Sequence, residues 1–207
     1  MDERLELKDI SPTILADVLP LAQVVSASIH SLWPRMPRLV GPAYTVRCGP
    51  GDNLMLHAAI YRAPPGTVVV VEGGDTTFAL AGGKVCAVAQ KRGILGFVLD
   101  GSIRDVAEVR AIQFPVFARG VTPVAGKKES IGALNNPVRC GGVMIEPGDV
   151  VVGDDEGIVI IPRAALDSTL KAATRKLAKE STQSLQAWEA EHRSRIEKIL
   201  REKGFSD

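Results

Sequence analysis

Two short stretches of this 207-residue chain carry the residue types of a small-anion site. Gly82-Gly83-Lys84-Val85 places small residues where a loop runs into a helix. Backbone N–H groups left free there sit at the positive end of a helix dipole and can seat a carboxylate or phosphate. Close helix–sheet packing explains the glycines equally well. The second stretch is Asp100-Gly101-Ser102-Ile103-Arg104-Asp105, in which a buried strand ends in Asp-Gly and turns at once into Arg-Asp. Ligands of open α/β sheets bind at the carboxyl ends of strands. Arg104 suits a planar carboxylate through paired hydrogen bonds. Asp105 suits a hard divalent ion that keeps most of its waters. Taken alone, an Arg–Asp surface pair with Asp105 as a first-turn acid is the better reading. Spacing shifts the balance, because one buried strand separates the two helix starts and puts both at one edge of the sheet. An anion seat and an arginine–carboxylate pair then converge on one small ligand.

Other reactive side chains fit simpler roles. Lys84, beside the anion seat, could form a Schiff base if desolvated, but a solvated lysine flanking a helix is the ordinary case. His57 lies among Leu56, Ala58 and Ala59 and is expected in a core or interface. His30 and His192 have no partner pattern, and three histidines in all argue against a His-rich metal site. Cys86 and Cys140 fit small buried apolar positions. Glu72 and Asp75 flank Gly73-Gly74 after a buried strand and are secondary candidates for a ligand shell. Asp154-Asp155-Glu156 lacks the spaced ligands of a calcium loop and fits a solvated turn. Asp17 is a minor candidate for a carboxylate donated across a subunit boundary.

The elements that must hold these residues follow from periodicity and turn chemistry. Residues 5–36 suggest interrupted helix: Ser11-Pro12-Thr13 is an N-cap with proline at the first helical position, and a second stretch runs to about Ser31. Ala43–Cys48 predicts a strand and Leu54–Tyr61 a short helix. Thr67–Val71 is too short for a helix and β-branched throughout, a strand buried on both faces. A small-residue helix is expected from about Thr77 to Arg92, then a strand over Gly96–Asp100, a helix over Asp105–Ile112 and a strand at Pro115–Ala118. Beyond Val121 the pattern is all-β, with strands near Val138, Val143–Ile145, Val150–Val152 and Ile158–Ile161. From Ala164 to Lys203 there is no Gly or Pro, which predicts a long helix. Leu177, Leu185, Trp188, Ile196, Ile199 and Leu200 give it an intermittent apolar stripe needing a partner, most simply another subunit. Domain limits of 1–163 and 164–207 follow, the second a helical extension for assembly.

Composition bounds the function. Formal net charge is +1, which argues against nucleic acid as the partner. Residues 171–203 carry nine Lys or Arg against five Glu, yet a mixed-charge solvated face accounts for them. Three scattered cysteines without a C-x-x-C pair speak against a disulfide framework or zinc ribbon and for a reducing cytoplasm. No apolar run approaches the ~20 residues of a membrane helix. The acidic start Met1-Asp2-Glu3-Arg4 has no signal-peptide core, so a cytoplasmic protein is expected.

In order along the chain, Leu39–Val46, Pro50-Gly51-Asp52-Asn53, Ala87–Gly93, Asp100–Asp105, Phe114–Gly120 and Gly148–Gly157 resemble the RraA-like family. That family includes class II pyruvate aldolases acting on 4-hydroxy-4-methyl-2-oxoglutarate and 4-carboxy-4-hydroxy-2-oxoadipate. The resemblance implies an α/β fold, a swivelling β/β/α-type domain with N-terminal helices and a long C-terminal helix, assembled as a homotrimer or hexamer. It further implies a lyase on small 2-oxo acids using Mg²⁺ or Mn²⁺, with oxaloacetate decarboxylase activity. Arg104 matches the arginine that grips pyruvate, Asp105 the carboxylate that holds the metal, and Gly82 to Val85 the loop whose amides receive the substrate carboxylate. The aldolase signature is an aspartate, twenty residues, then Arg-Asp; here its first aspartate falls at Gly83, with Asp75 a candidate substitute acting through water. Fewer carboxylates favour decarboxylation over aldol cleavage, which also needs a base for the distal hydroxyl. The family also contains non-catalytic regulators of ribonuclease activity, so a binding protein on this scaffold is the alternative; Gly83 and the basic helix favour it.

Overall fold

A computed structural model describes residues 7–205. Its strands are β1 (His30–Ser31), β2 (Leu39–Arg47), β3 (Val68–Glu72), β4 (Ala79–Ala81), β5 (Gly96–Ile103), β6 (Val116–Val121), β7 (Val138–Cys140), β8 (Val143–Ile145), β9 (Val150–Asp154) and β10 (Gly157–Ile161). Its helices are α1 (Pro12–Ala16), α2 (Leu54–Ala59), α3 (Gly83–Lys91), α4 (Val106–Ala111), α5 (Leu166–Thr182) and α6 (Leu185–Glu202), with 3₁₀ turns at Leu21–Gln23 and Arg163–Ala165.

The valine run of β3 has no exposed surface from Val68 to Val71, as a strand covered on both faces requires. It lies parallel between β2 and β5, and β5 is parallel to β6. Antiparallel strands extend this unit: β1 on β6 at one end, and β9 on β2 then β10 on β9 at the other. β7 and β8 form a separate hairpin. Helices α2, α3 and α4 alternate with the parallel strands, so the chain has the expected mixed α/β architecture. One apolar cluster gathers Phe97, Phe114, Phe117 and the β3 valines; a second packs Ile14, Leu15, Leu170 and Ala173 against Val152, Val159 and Ile161.

Four local expectations are corrected. The helical stretch expected up to Ser31 is replaced by a 3₁₀ turn, a bridge from Val24 to Val159 and strand β1. Pro20 starts that turn, and Val25 donates its amide to Ile158 O at 3.0 Å, so the β-branched pair serves the sheet rather than a helix. Leu5, Glu6, the acidic Met1-Asp2-Glu3-Arg4 and Asp207 lie outside the described residues. The helix expected from Thr77 begins only at Gly83, because Ala79–Ala81 pairs with the part of β5 that β3 leaves open beyond Glu72. For the same reason β5 does not end at Asp100-Gly101 but continues to Ile103. Gly101 permits that close passage: a Cβ there would lie 2.7 Å from Leu80 Cδ1 and 3.0 Å from Asp75 O. The C-terminal helical segment is present but divided. Ser184 is extended (φ −68, ψ 152), and its hydroxyl accepts the Ala187 N–H to cap α6, a role serine fills better than a mid-helix position.

Asp52 shows how the loops are tied down. It is buried at 4% exposure; Oδ1 accepts the Leu54 amide at 2.8 Å, and Oδ2 the amides of Glu129 at 2.6 Å and Ser130 at 3.0 Å. Burial pushes its carboxyl up, but those three amides and the Lys128 charge outweigh burial and hold it below the ordinary value. Asp52→Ala is expected to cost about 1–3 kcal/mol, read as a lower urea midpoint. In the wild type that contribution is complete above the unfolded-chain value of about 4. It should be lost as pH falls through the depressed folded value, where Asp52→Ala and wild type converge.

Candidate functional site

The parallel pairing of β4 with β5 sets Ala81 opposite Ile103, so the residues that follow each strand, Gly82 and Arg104, leave the sheet side by side. The Arg104 amide donates to Ala81 O at 3.1 Å and extends the register by one residue. Asp105 then turns into the left-handed region (φ 58, ψ 36), which aspartate tolerates at a cost of roughly 1–2 kcal/mol. Its carboxylate swings back over the start of α3: Oδ2 accepts the Gly83 N–H at 3.1 Å and lies 3.5 Å from Arg104 Nε.

Both glycines are dictated by this approach. A Cβ on Gly82 would lie 2.5 Å from Asp105 Oδ2 and 3.0 Å from Arg104 Cγ; one on Gly83 would lie 2.0 Å from Glu108 Oε2. Arg104, Asp105 and the 82–83 turn therefore meet; the Arg104 and Asp105 side chains are 44% and 38% exposed, whereas Gly82 and Gly83 are buried beneath them. An ion pair this exposed contributes little to stability. Part of the anion seat is already taken, since the Gly83 amide is spent on Asp105; the Lys84 and Val85 amides are the other first-turn donors, without partners inside the helix. The Lys84 side chain is exposed on α3, away from desolvation.

Glu108 is the residue that sequence reasoning missed. Asp105-x-x-Glu108 has the spacing of a capping box, which hides it as an ordinary helix start. Asp105 makes no side-chain cap to α4; instead both carboxylates face the start of the neighbouring helix. Gln90 Nε2, donating to Ile112 O at 2.9 Å, ties the far ends of α3 and α4 together.

The secondary candidates are engaged elsewhere. Asp75 Oδ1 accepts the Thr77 and Phe78 amides at 2.7 and 3.2 Å, and Oδ2 accepts that of Gly51, so this carboxylate is committed to its own loop. Glu72 accepts from Arg47 and from the Arg139 amide, and Asp100 from Arg119 and the Gly141 amide. These groups line a polar cleft in which the carboxylates are paired. Asp17 pairs with Lys176 at 3.0 Å. Asp154 pairs with Arg38, and Asp155 accepts the Arg35 amide. His30 lies in β1, and His192 stacks on Trp188 with ring centroids 4.5 Å apart. The thiols are buried and free; burial chiefly pushes Cys48 up to about 11 and Cys86 to about 12, and raises Cys140 further, which removes them as nucleophiles at neutral pH. His57, half-buried on α2, is held below its ordinary value first by burial and then by the positive charges of Lys128 and Arg104. It therefore belongs to the electrostatic surroundings of Arg104.

Comparison with known proteins bears on the family and the fold. The RraA-like family profile, described as Aldolase/RraA, matches residues 12–160. A Halalkalibacterium halodurans protein named "Putative 4-hydroxy-4-methyl-2-oxoglutarate aldolase" is 42% identical over 174 residues, 84% of this chain and 82% of that one. Streptomyces coelicolor RraAS2, described as an unusual member of the RNase ES inhibitor RraA family, superposes with a TM-score of 0.77 at 28% identity, covering 87% of this chain and 94% of that one. The RNA-processing inhibitor RraA of Thermus thermophilis gives a TM-score of 0.66 at 29% identity over 72% and 91% of the two chains. Among the described residues no helix is long and apolar enough to cross a membrane.

Two outcomes are expected. The His57 Cε1–H resonance should titrate below pH 6.5 and move upward in Lys128→Ala; unfolded chain takes the proton first, so the wild type should lose stability as pH drops below that value. Gly82→Ala should displace the Arg104–Asp105 pair at a cost of about 1–3 kcal/mol, read as a lower melting temperature.

Proposed function

The chain belongs to the RraA-like family, and from that membership we propose that it is a divalent-metal-dependent carbon–carbon lyase acting on 2-oxo acids. Oxaloacetate decarboxylation is the reaction that these side chains perform with least; release of pyruvate from 4-hydroxy-4-methyl-2-oxoglutarate-type substrates is its extension. The observation that carries the reading is the convergence of Arg104, Asp105 and the side-chain-free Gly82-Gly83 turn.

Among the described residues no three His, Cys, Asp or Glu side chains gather into a cage. A hard ion such as Mg²⁺ or Mn²⁺ does not require one, since it keeps several waters and takes one or two protein carboxylates plus the substrate. Asp105, exposed and backed by the Gly83 amide, fits that demand and would hold the ion. When bound, the ion acts as a Lewis acid on the 2-oxo carbonyl.

The chain's own groups do the rest. The Arg104 guanidinium grips the keto acid, and the first-turn amides of Lys84 and Val85 are the donors for its carboxylate. When the C3–C4 bond of oxaloacetate breaks, CO₂ leaves and the electron pair passes to the C2 oxygen of the pyruvate enolate, beside Arg104. Solvent returns a proton to C3. No protein base removes a proton in this sequence, whereas retro-aldol cleavage needs one for the distal hydroxyl.

Pyruvate formation from oxaloacetate, followed with lactate dehydrogenase, is expected to require Mg²⁺ or Mn²⁺ and to stop with EDTA. Arg104→Ala should lower kcat/KM by about 10²–10³-fold. Chelator-insensitive release, or an unchanged Arg104→Ala enzyme, would sink the assignment. A ribonuclease-regulating role is the second reading, favoured by the names of the two structural neighbours. Inhibition of an endoribonuclease that survives Arg104→Ala but is lost when residues beyond 183 are removed would support it.

A further inference from the structure

We infer that α6 pairs with α6 of a second copy of this chain, antiparallel and about a two-fold axis at His192. The inference is independent of the lyase reading.

An uncovered apolar stripe is the first observation. No residue of α6 is buried within the chain. Leu185 is 79% exposed, Trp188 48%, and Ile196 and Ile199 37% each. With His192 these residues recur at spacings of three and four and share one helix face. The Trp188 and His192 rings stack with centroids 4.5 Å apart and flatten its centre. Helix α5 does not close over the stripe: an open wedge of about 640 Å³ lies between the two helices, lined from α6 by Leu185, Trp188, Glu191 and Arg195.

The order of residues about His192 selects the occupant. Leu185 and Ile199 lie seven residues either side of it, and Trp188 and Ile196 four. A two-fold axis through His192 and perpendicular to the helix therefore sets Leu185 opposite an Ile199 and Trp188 opposite an Ile196, apolar against apolar along the whole contact. The flanking charges obey the same symmetry. Glu189 and Arg195 lie three residues either side of His192, and Glu191 and Arg193 one. Antiparallel pairing brings every one of these acids opposite an arginine, whereas parallel pairing in register sets acid against acid and arginine against arginine.

These charges are available for that purpose. Among the described residues none of the four takes part in an ion pair within the chain, and Glu191 accepts only the Gln183 side-chain amide, at 2.9 Å. Exposed pairs contribute little each, so the stripe supplies the attraction and the charges fix direction and register. A helix complementary to itself is the signature of an isologous contact, in which one patch serves both partners. A surface shaped for an unrelated protein has no reason to carry that symmetry.

Light scattering of the full-length protein tests the pairing by counting chains. Wild type should contain an even number, and Ile196→Glu, which sets a carboxylate against Trp188, should halve it; circular dichroism shows that the variant is folded. Glu189→Arg should weaken association about 10-fold, and adding Arg195→Glu should restore it. His192→Cys should form an interchain disulfide on mild oxidation, since the three native thiols are buried. Leu185→Cys should not crosslink to itself, because the two copies stand about 21 Å apart, but should crosslink when mixed with Ile199→Cys. An odd number of chains, or a mass that Ile196→Glu leaves unchanged, overturns the inference and leaves the stripe to a different protein. Failure of the charge swap to restore association, or self-crosslinking of Leu185→Cys as ready as that of His192→Cys, overturns the antiparallel register.

Discussion

A short parallel pairing, Ala79–Ala81 against Ser102-Ile103, governs where everything at the site lies. β3 stops pairing with β5 at Glu72, and the chain loops out through residues 73–78 before β4 returns to the same edge. That return fixes the entry of α3 next to the exit of β5. Without it the Gly82-Gly83 turn and Arg104-Asp105 would belong to separate loops, with no reason to share a ligand. The left-handed Asp105 completes the arrangement by turning the chain back on itself.

The strands were legible because burial on both faces leaves little chemical choice: Val68–Val71, Gly96–Leu99 and Ile158–Ile161 are continuous apolar runs with turn residues at their ends. Arg104, Asp105 and the glycine pair were legible for a different reason. Two helix starts separated by a single buried strand must lie at one edge of the sheet, so spacing rather than residue type brought them together. β4 was not legible, since Ala-Leu-Ala has no strand preference and becomes a strand only because β5 offers an open edge. The stretch after Pro20 misled in the same way, its valines being claimed by β10 rather than by a local helix.

Glu108 illustrates a deeper limit. Its spacing from Asp105 carries a complete local explanation as a helix cap, so nothing in the sequence demands another. Only the packing of α4 beside α3 reveals that its carboxylate and the missing side chain of Gly83 compete for one volume. Asp75 failed as a candidate for the converse reason: it is close in sequence, but three backbone amides of its own loop and the adjoining turn consume its oxygens.

Helix α6 contributes no buried residue to the fold. It is held by its serine cap, an i,i+4 contact between Lys198 and Glu202 and the Trp188–His192 stack, all internal to itself or to the turn that starts it. Its amides can therefore exchange with solvent through fraying that leaves the sheet closed. Substitutions in that segment leave the packing beneath Arg104 within the chain undisturbed, since α6 buries none of its residues there.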